Sequence, residues 1–261
     1  MLLKMKFKRF KITLYIFMAM ILPLLCFSKD NTQTLFEKGN ANYAKAQYNE
    51  ALAAYGQIIS QGYQSAAVYF NMGNASYKSG DIPSALLYYE KAHKLSPGDD
   101  DINFNIRLVN SKTTDKIDEL PELFISRWWR AFILSFSVHA LAITSICLIL
   151  LASGIFTFYF FSNSVLLKKT SFYASVMLFV LGVLVIFIAA SQVNYFEGRR
   201  EAIIFSNSVT VKSGPADKAA ALFVLHDGTK VNILDSNNGW MKIKLANGNT
   251  GWIRLSDAKE I

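Results

Sequence analysis

Few residues of this 261-residue chain are of types that perform catalysis. The three histidines, at positions 93, 139 and 226, are far apart in sequence, and none belongs to an HExxH metal motif. The two cysteines, Cys26 and Cys147, form no CxxC pair, and Cys147 lies in a long apolar run where a structural role is expected. The sequence also contains no GxSxG serine motif and no GxxxxGK phosphate loop. We therefore expect a non-enzymatic protein without a metal or cofactor.

The composition favours membrane spans over a water-soluble domain. Hydrophobic residues make up 52% of the chain and charged residues 18%, whereas about a quarter of the residues in soluble domains are charged. The net charge is +8, and five of these charges lie within residues 1–11. Because the remaining residues carry only +3, we expect no nucleic-acid-binding surface.

The basic N-terminal run is followed by sixteen uncharged, mostly apolar residues, 12–27, and then by Ser28. This order is typical of a secretory signal peptide, which we place at residues 1–28. An uncleaved signal would instead anchor the chain with its basic end in the cytoplasm. Lipidation of Cys26 is a further alternative, disfavoured because the large Leu25 stands where a small residue should precede the modified cysteine. With a cleaved or an uncleaved signal, the next segment lies outside the cytoplasm.

Two later segments are long and apolar enough to cross a bilayer. Residues 131–167 and 170–196 form stretches of 37 and 27 residues without a formal charge, whereas a span needs roughly 20 residues. We predict transmembrane helices at residues 136–161 and 171–192, joined by a cytoplasmic loop at 162–170. A buried hairpin in a soluble domain is the alternative, but most of the second stretch offers no polar face to water.

The predicted orientation depends mainly on the signal peptide, which places the segments before the first span and after the second span outside. Lys168 and Lys169 in the loop agree with the positive-inside rule, although arginines near the outer ends weaken that argument. Aromatic pairs at the outer ends are expected to anchor at the interface, and His139 is expected to have an interfacial, structural role. The pairs are Trp128 with Trp129 and Tyr195 with Phe196.

A polar region with helical periodicity begins near residue 32 and repeats itself after 34 residues. The repeated residues are Gly39, Asn40, Ala41, Tyr43 and Tyr55, which recur as Gly73, Asn74, Ala75, Tyr77 and Tyr89. This pattern resembles the tetratricopeptide repeat, a pair of antiparallel helices. We place the units at residues 32–65 and 66–99, and expect a capping helix at 101–110 within a domain that ends at residue 112. The first unit departs from the family pattern at Lys38 and Tyr63.

The resemblance implies that the first helix of each unit lines a groove for an extended peptide or a partner helix. Phenylalanine would supply apolar pockets there, and asparagine could pair with a ligand backbone or remain within the array. The family's clamp for a C-terminal carboxylate needs a lysine at the position of Phe36, so we do not expect a carboxylate-binding mode. The four repeated tyrosines are expected to be core. The predicted groove residues are Phe36, Asn40, Phe70, Asn74 and Phe104.

After residue 200 the pattern becomes strand-like, with short alternating segments separated by turns rich in glycine and asparagine. The ordered motifs are Val-Lys-Ser-Gly-Pro (211–215), Asp-Gly-Thr-Lys-Val (227–231) and Asn-Gly-Asn-Thr-Gly-Trp-Ile (247–253). They resemble bacterial SH3 domains over residues 200–261, although Lys212 stands where arginine is common. The resemblance implies a small barrel that binds peptidoglycan peptides or proteins. Trp240 and Trp252 could meet across the sheet as a ligand-binding pair, or they could be core.

The predicted fold class is a multidomain membrane protein. It combines an all-α tetratricopeptide helical array, a linker at residues 113–130, a two-helix transmembrane hairpin and a small all-β SH3-like barrel. This order resembles E-type members of the Bacteroides aerotolerance (Bat) family. The resemblance implies a multi-pass protein of the bacterial inner membrane with periplasmic repeat and SH3-like domains. Implied partners are Bat proteins with von Willebrand factor A domains and a MoxR-type ATPase system, acting in envelope homeostasis, stress resistance or aerotolerance.

Two functions are compatible with this organisation. The first is a membrane scaffold or adaptor whose array and barrel bind partner proteins. The second is a tether or envelope sensor whose barrel binds peptidoglycan. The predicted cytoplasmic loop is short and offers little surface for signalling, which favours the scaffold.

Overall fold

A computed structural model describes residues 31–118 and 120–261. The predicted signal peptide, with Cys26, lies outside these residues. The described chain divides into two compact units, one formed by residues 139–188 and the other by residues 32–138 together with 189–261. The repeat array and the barrel therefore belong to the same unit.

The array consists of two helical hairpins followed by a single helix, as the repeat pattern predicts. Local sequence explains where these helices begin, because Ser65, Asp81 and Asp99 each accept hydrogen bonds from backbone amides of the first turn that follows. Gly80 lies in the turn between the two helices of the second hairpin and has a φ of +87°, which glycine adopts without strain. The helices are α1 Asn31–Ala44, α2 Tyr48–Ser60, α3 Ala66–Lys78, α4 Ile82–Leu95 and α5 Asp100–Asn110.

Each hairpin is closed by a glycine that faces a tyrosine. A Cβ atom on Gly73 would lie 2.6 Å from Cδ1 of Tyr89, and Gly39 is packed against Tyr55 in the same way. Tyr55 and Tyr89 are 1% and 2% exposed, so the expectation that they are core is confirmed. The equivalent residues Tyr43 and Tyr77 are half-buried at the edges of the two clusters. Glycine occupies the same position in both hairpins because any side chain there would separate the helices.

The C-terminal region is a small antiparallel barrel. Within the described residues its seven strands pair in the order β3-β2-β6-β5-β4-β1-β7. Alternating side chains, among them Val211, Val231, Ile243 and Ile253, fill the interior and are at most 1% exposed. The strands are β1 Glu201–Ile204, β2 Ser208–Lys212, β3 Ala221–His226, β4 Lys230–Asn237, β5 Trp240–Lys244, β6 Thr250–Arg254 and β7 Ala258–Glu260.

The array and the barrel share part of one hydrophobic core. Ile203 of β1 is completely buried in a cluster with Leu86 and Tyr89 of α4 and Val109 of α5. The neighbouring residue Ile204 is also completely buried, but it belongs to the core of the barrel itself. The repeat array and the barrel, which we predicted as separate domains, therefore pack against each other through a common hydrophobic cluster.

The stretch that we expected to be a linker is structured. Asp115 accepts hydrogen bonds from the backbone N–H of His226 and from Oγ1 of Thr229, both at 2.7 Å. The N–H of Leu120 donates to the carbonyl of Ala246 at 3.2 Å. A further helix, α6 Phe124–Ile133, follows. The linker prediction is corrected accordingly: its first part is fastened to the barrel and its second part is helical.

Two long apolar helices follow, α7 Val138–Phe161 and α8 Val165–Glu197. The second helix is longer than predicted and includes Lys168 and Lys169, so only residues 162–164 separate the two helices. Lysine is a good helix former, and its charge ends a span without ending the helix. A Cβ atom on Gly182 would lie 2.9 Å from Ile149 Cγ1. Most side chains of both helices are exposed, and such helices without a polar face indicate insertion into a membrane.

Candidate interaction surfaces

The groove side of the array contains a hydrogen-bond unit that occurs once in each repeat. Oδ1 of Asn40 accepts a hydrogen bond from the hydroxyl of Tyr55 at 2.7 Å and from Nδ2 of Asn71 at 3.0 Å. Oδ1 of Asn74 accepts from Tyr89 at 2.6 Å and from Asn105 at 3.1 Å in the same arrangement. Each unit thus joins the two helices of one hairpin to the first helix of the next.

These bonds limit what the predicted groove asparagines can offer a ligand. The side-chain oxygens of Asn40 and Asn74 already accept two hydrogen bonds each, so the amide nitrogens are the groups available for a ligand. Burial raises the pKa of Tyr89, nearby tyrosines add to this, and the hydrogen bond with Asn105 opposes it. Our sequence analysis missed Asn71 and Asn105. The available signal was that Asn71 and Asn105 are themselves 34 residues apart, so they occupy equivalent positions of the repeat.

The three predicted groove phenylalanines differ in exposure. Phe36 and Phe70 are half-buried, with ring centroids 6.0 and 5.8 Å from those of Tyr55 and Tyr89. Phe104 lies on the capping helix α5 and is 57% exposed. Phe104 therefore has the largest free aromatic surface of the predicted groove residues.

A cavity of about 320 Å³ lies beside the first repeat. Its walls include Phe36, Ile58 and Val68, together with Tyr63 and Gln64 from the turn between α2 and α3. Tyr63 is one of the two positions at which the first unit departs from the repeat pattern. This mainly apolar pocket has room for a bulky side chain.

The two tryptophans of the barrel lie on its outer surface, beside basic side chains. Trp240 pairs across the β5–β6 ladder with Arg254, whose Cζ lies 5.3 Å from the indole centroid. Trp252 pairs with Lys242, whose Nζ lies 6.0 Å from its ring, and on its other side with Lys212 of β2. The tryptophans are thus separated by cations and do not pair with each other.

Both indoles are half-buried, and neither belongs to the cluster of side chains that fills the barrel. The interpretation of the tryptophans as core is therefore wrong. Asp217 pairs with Arg254 and offsets its charge, but Lys212 and Lys242 remain. The outer face therefore combines two aromatic rings with a net positive charge. Such a surface can stack on flat or apolar groups and attract anionic ones. We call this surface, formed by Lys212, Trp240, Lys242, Trp252 and Arg254, the tryptophan face.

A charged cluster fastens the barrel to the array. Nζ of Lys230 lies 2.9 Å from a carboxylate oxygen of Glu90 and 3.1 Å from one of Glu201. Burial works to lower the pKa of Lys230, but the two carboxylates outweigh it and raise the pKa. Burial lowers the pKa of the neighbouring His93, although Glu90 opposes this effect. Nδ1 of His93 is buried without a hydrogen-bond partner among the described residues.

The three histidines lie on different elements: His93 on α4, His139 on α7 and His226 at the end of β3. Nδ1 of His226 lies 2.9 Å from Oδ1 of Asp115, a contact that holds the former linker on the barrel. Across residues 31–118 and 120–261, no group of three or more His, Cys, Asp or Glu side chains has an arrangement that could hold a metal ion. The non-enzymatic assignment stays a prediction.

Comparisons with known proteins identify two domains. Residues 66–99 match the family model of the tetratricopeptide repeat, and residues 207–258 match that of the bacterial SH3 domain. A search of curated proteins found no match. Among solved structures, the chain is similar to an NlpC/P60 family protein from Bacillus cereus ATCC 10987, with 17% identity over 25% of this chain and a TM-score of 0.21. The similarity spans 21% of that protein's length.

The chain thus contains a tetratricopeptide repeat, a bacterial SH3 domain and two apolar helices that indicate membrane insertion. Both domains are interaction modules. Their presence points to binding of protein partners or of peptidoglycan.

Proposed function

We propose that this protein is a non-enzymatic membrane scaffold that binds partner proteins through its repeat array and its SH3-like barrel. The observation that carries the proposal is the shared core around Ile203, reinforced by the Lys230 cluster. Because the two modules pack together, ligands bound to them are held near each other at a raised effective concentration. A scaffold benefits from such coupling, whereas two modules on a flexible linker would lose most of it.

The shared core also supports an even number of membrane crossings between the two modules. The array precedes α7 and the barrel follows α8, so both can lie on one side only if the chain crosses and returns. Two helices of 24 and 33 residues are long enough to do this. With the predicted signal peptide, this argument favours the bacterial inner membrane with both modules in the periplasm.

We place the strongest protein contact at Phe104. Full burial of a phenylalanine side chain contributes about 1.5–3 kcal/mol, and Phe104 has more to gain than the half-buried Phe36 and Phe70. Within the Bat resemblance, the proposed partners are membrane proteins with von Willebrand factor A domains and a MoxR-type ATPase system. The proposed context is a Bat-type envelope complex linked to aerotolerance or stress resistance.

Affinity purification from gently solubilised, cross-linked membranes, followed by mass spectrometry, tests this proposal. We expect the tagged chain to recover membrane partners in stoichiometric amounts and Phe104→Ser to lose them. Leu234→Ser is the matched control, since Leu234 is 51% exposed on the barrel and distant from the groove in sequence. Equal recovery by wild type and Phe104→Ser would remove the groove from the proposal, and recovery of no protein partner would reject the scaffold.

The tryptophan face favours a second candidate, a peptidoglycan-binding tether or envelope sensor. Muropeptides carry carboxylates that basic side chains can bind, and apolar groups that can lie on an indole. The test is co-sedimentation of the purified full chain with isolated sacculi. Trp252→Ala should reduce the sedimenting fraction, and Val224→Ala, at a 47% exposed position of β3, should not. No sedimentation of the wild-type chain would reject the tether.

A further inference from the structure

Helix α6 has an apolar face that is exposed along its length. Phe124, Ile125 and Trp128 are 71%, 77% and 59% exposed, and Trp129 and Phe132 are each 37% exposed. Trp128 and Phe132, four residues apart, stack with ring centroids 5.9 Å apart and an interplanar angle of 10°. Contiguous apolar surfaces of this kind are rare on proteins that face water, so this face has an occupant.

The opposite face of α6 is polar and basic. It contains Ser126, Arg127 and Arg130, and Nη1 of Arg130 lies 2.8 Å from Oε1 of Glu122. Aromatic residues on one face and arginines on the other are typical of helices that lie in the plane of a membrane surface. Arginine can bind lipid phosphates there, and tryptophan prefers the level of the headgroups.

Chain continuity places the bilayer next to this helix. α6 ends at Ile133 and the apolar helix α7 begins at Val138. In addition, Nε2 of Gln192, near the end of α8, donates to the backbone carbonyl of Phe136 at 2.8 Å. The segment that leaves α6 is thus fastened to the end of the second apolar helix as well as to the start of the first.

We propose that α6 is an in-plane membrane helix whose aromatic face inserts into the headgroup region of the bilayer. The occupant of this face is lipid. Interfacial helices of this type insert their apolar face by about 5–10 Å, so α6 would anchor at the surface without crossing it.

The same helix is tied to the array–barrel unit on both sides. Before it, the N–H of Leu120 bonds to the carbonyl of Ala246 in the barrel. After it, Gly98 of the array packs so closely on the backbone of Ser135 that a Cβ at this position would overlap its carbonyl. An α6 helix seated in the headgroups would therefore hold the array and barrel against the membrane surface, which a free linker would not do.

Tryptophan fluorescence of the full chain in single-copy nanodiscs of phosphatidylethanolamine and phosphatidylglycerol tests this inference. Trp240→Phe and Trp252→Phe leave Trp128 and Trp129 as the emitting residues, because the chain has four tryptophans. We expect strong quenching by lipids brominated close to the headgroup, weaker quenching by lipids brominated near the chain ends, and little quenching by aqueous acrylamide.

Two substitutions on opposite faces of α6 provide the matched comparison. Ile125→Lys places a charge on the apolar face and should cause loss of quenching by brominated lipid with a gain of quenching by acrylamide. Ser126→Lys places the same charge on the polar face and should leave both unchanged. Far-UV circular dichroism checks that both variants keep their helices.

Strong acrylamide quenching of the wild-type chain, without bromolipid quenching, would overturn the proposal. In a single-copy disc a second copy cannot cover the helix, so shielding from acrylamide without lipid quenching would assign the face to the protein itself and would also overturn it.

Discussion

The two repeats of the array have the same internal chemistry but different neighbours. Tyr55 and Tyr89 each bond to an asparagine across their hairpin. Tyr89 also belongs to a cluster that contains Ile203 of the barrel, whereas Tyr55 packs against residues of the array alone. The cavity of about 320 Å³ lies beside the first repeat. The comparison indicates that the barrel acts as an additional cap for the second repeat, because repeat arrays depend on their nearest neighbours for stability.

The largest expected effect comes from replacing Ile203 or Ile204, and the two replacements should destabilise different parts of the protein. Both are completely buried neighbours on one strand, but Ile203 packs against the array and Ile204 fills the barrel. Replacement of either residue by alanine should lower the free energy of unfolding by about 2–4 kcal/mol because it leaves a cavity. Hydrogen exchange of the full chain in nanodiscs should show that Ile203→Ala loosens α4 together with the barrel, and that Ile204→Ala loosens mainly the barrel. Unchanged exchange in α4 of Ile203→Ala would contradict the coupling.

Lys230→Met should have the next largest effect. It leaves the carboxylates of Glu90 and Glu201 without their common cation at 2.9 and 3.1 Å. We expect the free energy of unfolding to fall by about 2–3 kcal/mol. This is less than the roughly 3–5 kcal/mol for breaking a fully buried ion pair, because Lys230 is partly exposed. Lys244→Met, on an exposed part of β5, is the control and should change little.

The Lys230 cluster also predicts a pH dependence. The pKa of Lys230 is raised in the folded state, so its contribution is fully present below the ordinary lysine value of about 10.4 and is lost as the pH rises through the folded value. Hydrogen exchange rates at such high pH are too fast to follow, so thermal unfolding by circular dichroism is the suitable measurement. The stability difference between wild type and Lys230→Met should shrink as the solution becomes strongly alkaline, and a constant difference would contradict the assignment.

The smallest effect should come from the tyrosine hydroxyls. Tyr89→Phe removes one of two donors to the half-buried Asn74 and should cost about 1 kcal/mol, because a buried acceptor loses a partner. Tyr55→Phe should cost less, since Asn40 is exposed and water can replace the hydroxyl. Thermal unfolding measures both variants. An equal or larger loss for Tyr55→Phe would show that the burial of Asn74 gives the hydroxyl of Tyr89 no greater contribution to stability.

Much of the fold was predictable because its signals are local. The period of 34 residues places each helix of the array, and the uncharged runs mark α7 and α8. The amphipathic helix α6 was assigned to a linker although its signal was present, since Phe124, Trp128 and Phe132 recur every four residues. We predicted that the second span begins after Lys168 and Lys169. The helix itself begins earlier and includes both lysines, because charged residues limit a membrane span but do not end a helix.

The candidate site was predictable in part. The family resemblances named Phe104 as a groove residue and the two barrel tryptophans as ligand-binding or core residues. They could not say that Trp240 and Trp252 each lie beside a cation, because that depends on the register of β5 and β6. The hydrogen bonds of Asn40 and Asn74 likewise depend on how closely the hairpins pack.

The sequence by itself determined the kinds of elements in this protein, their order and most of their boundaries, because hydrophobic period, turn residues and helix caps act over a few residues. Only the tertiary structure decided that the array and the barrel form one unit. Lys230 and Glu90 are 140 residues apart in the sequence. Ile203 packs against α4 although both apolar helices, α7 and α8, lie between them in the sequence. Contacts of that kind arise from complementary surfaces that meet after each element has formed, and no local pattern encodes them.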